Sequence, residues 1–156
     1  MPIPEFVLQL RSHVGTAPLW LSGVSAVIVD DDRVLLTRRR DNGLWAVVSG
    51  ILEPGEEPGP AALREISEET GIEAELVRLS SVDVTERITY PNGDVAQYLD
   101  ITFLARHISG VARVADDENL AVDWFDVTSL PRDLTDTSRL RIDKALNGSR
   151  EAWFRR

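Results

Sequence analysis

The sequence predicts an α/β domain in which helices pack on the faces of a mixed β-sheet, and three observations support this class. An apolar run at 21–29 is followed by a polar turn and a second apolar run at 33–37, which predicts a hairpin. A helical pattern bounded by proline and glycine follows between Gly50 and Ile72. A further apolar run at 95–105 predicts a long strand. Strands and helices that alternate in this way are typical of α/β architectures.

Shorter signals predict the elements around these three. Apolar residues at helical spacing in 4–14 predict a first helix, which Gly15 ends. Asn92-Gly93 is the dipeptide of a tight turn, and a closing helix is expected at 140–146. The acidic triplet 30–32 is interpreted as a solvated turn rather than a metal site. Four further segments are predicted to be extended: 44–48, 76–85, 86–90 and 124–127.

The length of the chain indicates how many domains to expect. With 156 residues, the chain is expected to form a single domain with a substantial core. Within residues 1–156 we expect a helical extension at 1–18, a core at 22–131, and a C-terminal helix and tail at 132–156. No internal repeat or linker interrupts this arrangement.

Composition excludes several classes of function. The chain has no cysteine, which excludes disulfides and thiolate chemistry. No apolar run reaches the length of a membrane span, and the first residues lack the pattern of a secretory signal, so the expected location is the cytoplasm. A formal net charge of −9 argues against binding to a nucleic acid polymer. A small anionic substrate stays compatible with this charge, because a bound metal and a few arginines reverse the local field.

The segment from Gly50 to Ile72 carries six glutamates and one arginine. On a helix, Glu65, Glu68 and Glu69 fall within an arc of about 100°, which would gather their carboxylates. Like charges at this spacing repel each other unless a cation lies among them, and oxygen ligands suit a hard divalent cation such as Mg²⁺. The segment therefore predicts a metal site on a helix. Residues expected to pack on the core occupy the opposite face: Ala62, Leu63, Ile66 and Thr70.

The same segment resembles the Nudix box, whose pattern is G-x5-E-x7-R-E-U-x-E-E-x-G-U, where U is a bulky aliphatic residue. All nine specified positions match, at Gly50, Glu56, Arg64, Glu65, Ile66, Glu68, Glu69, Gly71 and Ile72. The resemblance implies a Nudix-like α/β/α sandwich with a loop-helix-loop at the box. It also implies a hydrolase that cleaves a nucleoside diphosphate linked to another group X and uses Mg²⁺, with Mn²⁺ as the alternative.

The resemblance further implies roles for the box residues. Glu68 and Glu69 are the expected core metal ligands, together with the carbonyl oxygen of Gly50. Glu65 is implied as a third ligand or as the general base that takes a proton from water. Arg64 and Glu56 are expected to form a structural pair that orients the carboxylates.

Some relatives take the base from a loop later in the chain. Glu118 occupies the corresponding place here, just before the predicted 124–127 strand. It is therefore an alternative metal ligand or base, with a solvent-exposed loop position as the other interpretation. Asp116 and Asp117 are weaker versions of the same hypothesis.

Four residues outside the box are candidate substrate contacts: Arg38, Arg39, Trp45 and Tyr90. The arginines follow the second strand, where a guanidinium can bind phosphate, and a solvated cluster is the alternative. Trp45 can stack on a base, although a place in the core is the commoner fate of an aromatic residue. Tyr90 adjoins the Asn92-Gly93 turn and can offer a hydrogen bond to a base or ribose.

The expected reaction is hydrolysis of a nucleoside triphosphate, including damaged ones, to a monophosphate and pyrophosphate. The alternatives are an ADP-ribose or nucleotide-sugar pyrophosphatase, and a non-catalytic module that senses nucleotides. Sensing modules typically lack one or more box glutamates, and this chain retains them all. Many relatives dimerise, which favours a homodimer. The apolar Trp153-Phe154 would then be an interface contact, or would pack on its own domain.

Overall fold

A computed structural model describes residues 3–156 of the chain. Its helices are α1 (Glu5–Val14), α2 (Pro58–Thr70) and α3 (Asp136–Leu146). Its strands are β1 (Leu19–Asp30), β2 (Arg33–Arg39), β3 (Trp45–Ala46), β4 (Val48–Ile51), β5 (Glu73–Val84), β6 (Ile88–Thr89), β7 (Val95–Ser109) and β8 (Asn119–Asp126). None of these helices has the length and apolar character needed to cross a membrane.

The strands form one mixed sheet with the order β3-β2-β1-β7-β5, in which β1 and β7 run parallel. β1 and β2 pair next to their connecting turn, where Val29 faces Val34. Further along, β4 pairs with β1 opposite residues 23–26, whereas β2 pairs with β3 and β8. The sheet therefore divides beyond the hairpin, and β4 lies at the division.

Helices cover both faces of this sheet. Side chains of β1 alternate between the two faces, as a strand requires. Val24 and Ala26 pack against α2, whereas Leu21 packs against α1 and Val27 against α3. The result is an α/β/α sandwich, and the predicted mixed α/β fold is confirmed.

Local signals set the bounds of α2. Proline is tolerated in the first turn of a helix, and α2 begins at Pro58. It ends before Gly71, which has φ 68° and ψ 12° and donates its backbone N–H to the carbonyl of Ser67. This left-handed residue is the predicted end of the helix.

Two elements begin earlier than predicted. α3 starts at Asp136 rather than at residue 140, because the Thr135 side chain caps the helix by accepting a hydrogen bond from the backbone N–H of Ser138. β8 starts at Asn119 rather than at residue 124, because its first residues pair with β2, where Asn119 lies opposite Arg39. That pairing joins distant parts of the chain and leaves no local signal.

The C-terminal residues pack back on the sheet. The backbone N–H of Trp153 donates to the carbonyl of Ser80 at 2.8 Å, and its carbonyl accepts from the N–H of Val82 at 3.0 Å. The ammonium of Lys144 lies 3.4 Å from the centroid of the Trp153 ring and forms a 2.6 Å ion pair with Asp83. Trp153 thus contacts its own chain, and dimerisation stays a prediction.

Candidate metal and nucleotide site

Glu65 is buried between α2 and β4 although it carries a carboxylate. Its exposed fraction is 1%, and a Cβ added at Gly50 would lie 2.1 Å from the carboxylate. Glycine at position 50 therefore makes room for this side chain. Oε1 accepts a hydrogen bond from Arg64 Nη1 at 2.7 Å, whereas Oε2 is buried and has no hydrogen-bond partner among residues 3–156. Burial raises the pKa of Glu65, and the hydrogen bond from Arg64 opposes that rise.

Glu69 lies one helical turn after Glu65 and is also buried. Its Oε2 accepts a hydrogen bond from Asn119 Nδ2 at 3.1 Å. Burial raises the pKa of Glu69 to about 7, the negative charge of Glu65 adds to the rise, and the hydrogen bond from Asn119 opposes it. The site therefore holds two carboxylates that repel each other in the interior of the protein.

Arg64 links the helix to the loop that precedes it. Its Nε and Nη2 donate to the two carboxylate oxygens of Glu56 at 2.8 and 2.9 Å, which is the bidentate geometry that suits a guanidinium. Its Nη1 donates to Glu65 and, at 3.2 Å, to Glu68. The hydrogen bond with Arg64 holds the pKa of Glu56 below its usual value. Arg64 thus bridges three glutamates and orients the one that is buried.

The faces of α2 differ from the predicted arrangement. Glu65 and Glu69 do not share an exposed face with Glu68; they are buried, on the face that packs on the sheet, whereas Glu68 is exposed. Leu63, which was expected to pack on the core, is 37% exposed. Ala62, Ile66 and Thr70 are buried as predicted, and the prediction was wrong at Leu63. The buried face also accepts Glu65, because Gly50 of β4 has no side chain and makes room for the carboxylate.

Asn119 joins the loop before β8 to α2, and it was not among the residues predicted for the site. Besides Glu69, its side chain donates to both carboxylate oxygens of Asp116 at 3.1 Å. The backbone N–H of Ala115 donates to the carbonyl of Glu69 at 3.3 Å. The sequence signal for this turn is Asp116, since aspartate is a common residue of tight polar turns. In the structure, Asp116 accepts hydrogen bonds from the backbone N–H groups two and three residues later.

Glu118 belongs to the same loop. Its backbone N–H donates to Asp116 at 3.1 Å, its carbonyl accepts from the N–H of Arg40 at 2.8 Å, and its side chain is exposed. The structure therefore brings the predicted loop to the box, where Asn119 contacts Glu69. A role for Glu118 as ligand or base stays a prediction.

Arg39 lies near both Glu69 of the box and Tyr90, which packs in the cluster beside α1. The guanidinium of Arg39 is held by Asp41 through bonds of 3.0 and 2.7 Å. The hydrogen bond with Asp41 raises the pKa of Arg39, and the nearby Tyr90 and Glu69 raise it further. Tyr90 shares a 2.8 Å hydrogen bond with the hydroxyl of Tyr98. These contacts place Arg39 between the carboxylates and the tyrosine pair.

Arg38 and Trp45 lie on the other face, toward α3. Arg38 donates to the carbonyl of Gly43 at 2.9 Å, and Trp45 packs edge-on against Phe125 with ring centroids 4.8 Å apart. Neighbouring residues of a strand point to opposite faces, which separates Arg38 from Arg39. The structure therefore places Arg39 near the box and near Tyr90, and it leaves Arg38 and Trp45 on the α3 side.

Comparison with known families identifies the family of this chain. The family model described as NUDIX domain matches residues 20–145. The chain belongs to the Nudix hydrolase family. It is therefore an enzyme of the class that hydrolyses phosphoanhydride bonds, as the resemblance of the box implied.

Individual relatives agree with this family. A MutT-like protein of Streptomyces ambofaciens is 34% identical over 136 residues, which cover 85% of this chain and 80% of that protein. An 8-oxo-dGDP phosphatase of Mus musculus is 34% identical over 137 residues, which cover 84% of this chain but 38% of the longer mouse protein. The solved structure of a MutT Nudix hydrolase from Burkholderia pseudomallei is 32% identical, with a TM-score of 0.69, and the match covers 81% of this chain and 98% of that one.

Nudix hydrolases generally use divalent metal ions, and the donor set of this site fits one. Within residues 3–156, no three histidine, aspartate or glutamate side chains converge closely enough to hold a metal ion by themselves. Oε2 of Glu65 is nevertheless a buried carboxylate oxygen that finds no donor among the described residues, an arrangement that costs free energy until a proton or cation neutralises it. The ion pair between Glu68 and Arg64 is largely exposed and stabilises little, so the Glu68 carboxylate can be redirected at small cost.

The metal-free protein is expected to lose stability as the pH rises from about 5 to about 8. The pKa of Glu69 is about 7 in the folded protein against an ordinary value of 4.5, so the folded state binds more protons than the unfolded state between these values. The free energy of unfolding should fall by about 3 kcal/mol across the interval. Glu56 and Asp41, whose pKa values are lowered, give the opposite slope only in more acidic solution.

Thermal unfolding in EDTA at a series of pH values measures this slope. Glu69→Gln removes the titrating group and should flatten the curve between pH 5 and pH 8. Equal slopes for the two proteins would show that another group controls the dependence on pH.

Proposed function

We propose that this Nudix hydrolase converts a nucleoside triphosphate, including damaged ones, to the monophosphate and pyrophosphate with a divalent metal ion. The observation that carries the proposal is the buried pair Glu65 and Glu69 within a complete Nudix box, where one carboxylate oxygen of Glu65 has no donor in the part of the chain that the structure describes. A Bacillus subtilis relative named putative 8-oxo-dGTP diphosphatase, 28% identical and covered over 85% of its length, supports the substrate class. The relative named 8-oxo-dGDP phosphatase supports the inclusion of damaged nucleotides.

In this proposal some residues of the box bind the metal ion, and others orient those ligands. We assign the ion to Glu68, Glu69 and the carbonyl of Gly50. Mg²⁺ suits such oxygen donors, with Mn²⁺ as the alternative. The chemistry supplied by a bound ion is neutralisation of phosphate charge and a lower pKa for bound water. Arg64 occupies Oε1 of Glu65, so Oε2 is the oxygen left for a proton or a cation.

Two residues are candidates for the general base. Burial raises the pKa of Glu65, which suits a group that accepts a proton near neutral pH. Glu118 is the alternative, because its loop is fixed against α2 through Asn119. The pH–rate profiles of Glu65→Gln and Glu118→Gln distinguish the two, since loss of the base removes the acidic limb of the profile.

Arg39 and Tyr90 are the proposed substrate contacts. Nε and Nη2 of Arg39 bind Asp41, which fixes the guanidinium and leaves Nη1 as the edge for a phosphate oxygen. Tyr90 offers its hydroxyl and ring to a base or ribose. Arg38 and Trp45 are not proposed as substrate contacts, because their contacts hold them on the α3 side of the sheet.

The experiment that tests the proposal is a measurement of phosphate release across a panel of nucleotides in Mg²⁺ and then in Mn²⁺. The panel contains canonical and oxidised nucleoside triphosphates, ADP-ribose, nucleotide sugars and dinucleoside polyphosphates. Added pyrophosphatase detects pyrophosphate, and added alkaline phosphatase detects products with a terminal monophosphate. We expect the fastest turnover for triphosphates, with pyrophosphate as a product.

Two other outcomes would replace the proposal. Faster turnover of ADP-ribose or a nucleotide sugar, detected through alkaline phosphatase, would show that this compound class is the substrate instead. Nucleotide binding without turnover of any compound would instead indicate a module that senses nucleotides.

A further inference from the structure

Helix α1 lies outside the residues that match the Nudix family model, which begin at residue 20. It nevertheless contacts both ends of the candidate site. Its N-terminal end reaches the box loop, and its apolar side packs beside Tyr90. An element that belongs to this chain rather than to the family's common core is a natural place for a determinant of substrate choice.

Arg11 fixes α1 to the rest of the domain. Its Nη1 donates to the carbonyls of Gly15 and Ala17 at 3.0 and 2.6 Å. Its Nη2 donates to the carbonyl of Val95 at 2.7 Å, and its Nε lies 3.6 Å from the carboxylate of Asp94. The side chain of Arg11 is 12% exposed. One largely buried guanidinium therefore ties the helix to the hairpin that follows Tyr90.

The apolar side of α1 supports the two tyrosines. Val7 is 5% exposed and packs in a cluster with Leu21 and Ala96, against which Tyr90 and Tyr98 also lie. The hydroxyls of Tyr90 and Tyr98 are joined at 2.8 Å. The position of Tyr90 is thus set from behind by α1 and from the side by Tyr98.

The N-terminal end of α1 closes one side of a cavity at the box. Pro4 is buried, and its carbonyl accepts the first backbone bond of the helix, from Val7 at 2.9 Å. Together with Glu56, Arg64 and Glu68, Pro4 lines a cavity of about 470 Å³. This volume lies within the usual range for small-molecule sites.

We propose that α1 is a specificity-determining wall of the substrate site, and that Arg11 is the residue that positions it. Through the hairpin, Arg11 holds Tyr90 in place for the nucleoside or for the group X, at a distance from the carboxylates of the box. This inference rests on the proposed function. It assigns to α1 an effect on substrate binding and none on the hydrolytic step.

The test compares Arg11→Met with Arg106→Met, a matched control that removes an exposed arginine paired with Glu75 at the surface. Both variants are assayed on the best substrate of the unmodified protein. Arg11→Met should raise KM by about tenfold while kcat stays within about twofold, the pattern of lost uniform binding. Amide hydrogen exchange should rise in residues 88–95 of Arg11→Met. The control should change neither quantity.

Several results would overturn the inference. An unchanged KM, or a fall in kcat without a change in KM, would show that α1 does not contribute to substrate binding. If Arg11→Met does not fold, Arg11→Lys carries the test. Lysine keeps the charge but loses some of the hydrogen bonds of the guanidinium, so KM should rise by about threefold. An unchanged KM in Arg11→Lys would likewise contradict the inference. Absence of turnover by the unmodified protein would instead reject the proposed function, and this inference with it.

Discussion

Glu69→Gln is expected to reduce kcat/KM by at least about 1,000-fold, equivalent to roughly 4 kcal/mol of transition-state stabilisation, without unfolding the protein. The glutamine keeps the size of the side chain and can still accept the hydrogen bond that Asn119 Nδ2 donates to Glu69. It lacks the negative charge that holds a cation. The variant should therefore be folded and inactive.

The same variant should be at least as stable as the unmodified protein at pH 8 without metal. Burial and the charge of Glu65 raise the pKa of Glu69 to about 7, which means that ionised Glu69 destabilises the metal-free fold. Removal of that charge relieves the repulsion. Opposite effects on activity and on the free energy of unfolding distinguish a catalytic role from a structural one, since loss of a structural residue lowers both.

Glu57→Gln is the matched control for this experiment. Glu57 lies in the same box at a position that the pattern leaves unspecified, it is exposed, and its side chain makes no capping bond to α2. The substitution makes the same change of charge, and turnover should stay within about twofold. Activity of Glu69→Gln within tenfold of the unmodified protein would contradict the assignment of Glu69 to the metal.

Gly50→Ala should impair both stability and activity. The added Cβ would lie 2.1 Å from the carboxylate of Glu65, and that side chain is buried and held by Arg64. Either β4 moves away from α2, which disturbs its pairing with β1, or Glu65 leaves its position. Overpacking of this kind costs about 1–3 kcal/mol, and displacement of Glu65 should lower kcat/KM by at least about 100-fold.

Gly59→Ala adds the same methyl group where only the end of a flexible side chain lies close and must shift by a few tenths of an ångström. Its Cβ would meet only the terminal methyl of Leu76, at 3.3 Å, and alanine favours a helix over glycine by up to about 1 kcal/mol. This control should keep its activity and its stability. Urea unfolding and steady-state kinetics of both variants measure the contrast.

A double variant separates the steric cause from other effects of the alanine. In Gly50→Ala/Glu65→Ala the group that clashes with the new methyl is absent, so stability should recover relative to Gly50→Ala while activity stays lost. Such non-additivity is the signature of residues in contact. Additive losses of stability in the double variant would show that Gly50 is required for a reason other than Glu65.

The sequence allowed prediction of the parts of the site that depend on neighbouring residues. The helix of the box, its left-handed end at Gly71 and the pairing of Arg64 with Glu56 all arise within 22 residues, from Gly50 to Gly71. Proline, glycine and helical spacing determine such features locally. The α/β/α arrangement followed from the same signals together with the resemblance of the box.

The parts that could not be predicted depend on residues far apart in the chain. Helical spacing does not reveal that β4 offers a bare glycine to Glu65, so the burial of Glu65 was not predicted. The contact between Asn119 and Glu69 joins residues 50 positions apart. Arg38 and Arg39 are adjacent and chemically alike, and only the placement of the helices decides which of them faces the box.

Trp153 has a consequence for the behaviour of the protein at high concentration. β5 ends the sheet, and an uncovered edge strand is a template on which other chains can add and aggregate. The backbone of Trp153 occupies that edge between Ser80 and Val82, and the Lys144 ammonium covers its indole. The C-terminal segment thus covers the edge near Ser81, so we expect resistance to aggregation to depend on a residue outside the candidate site.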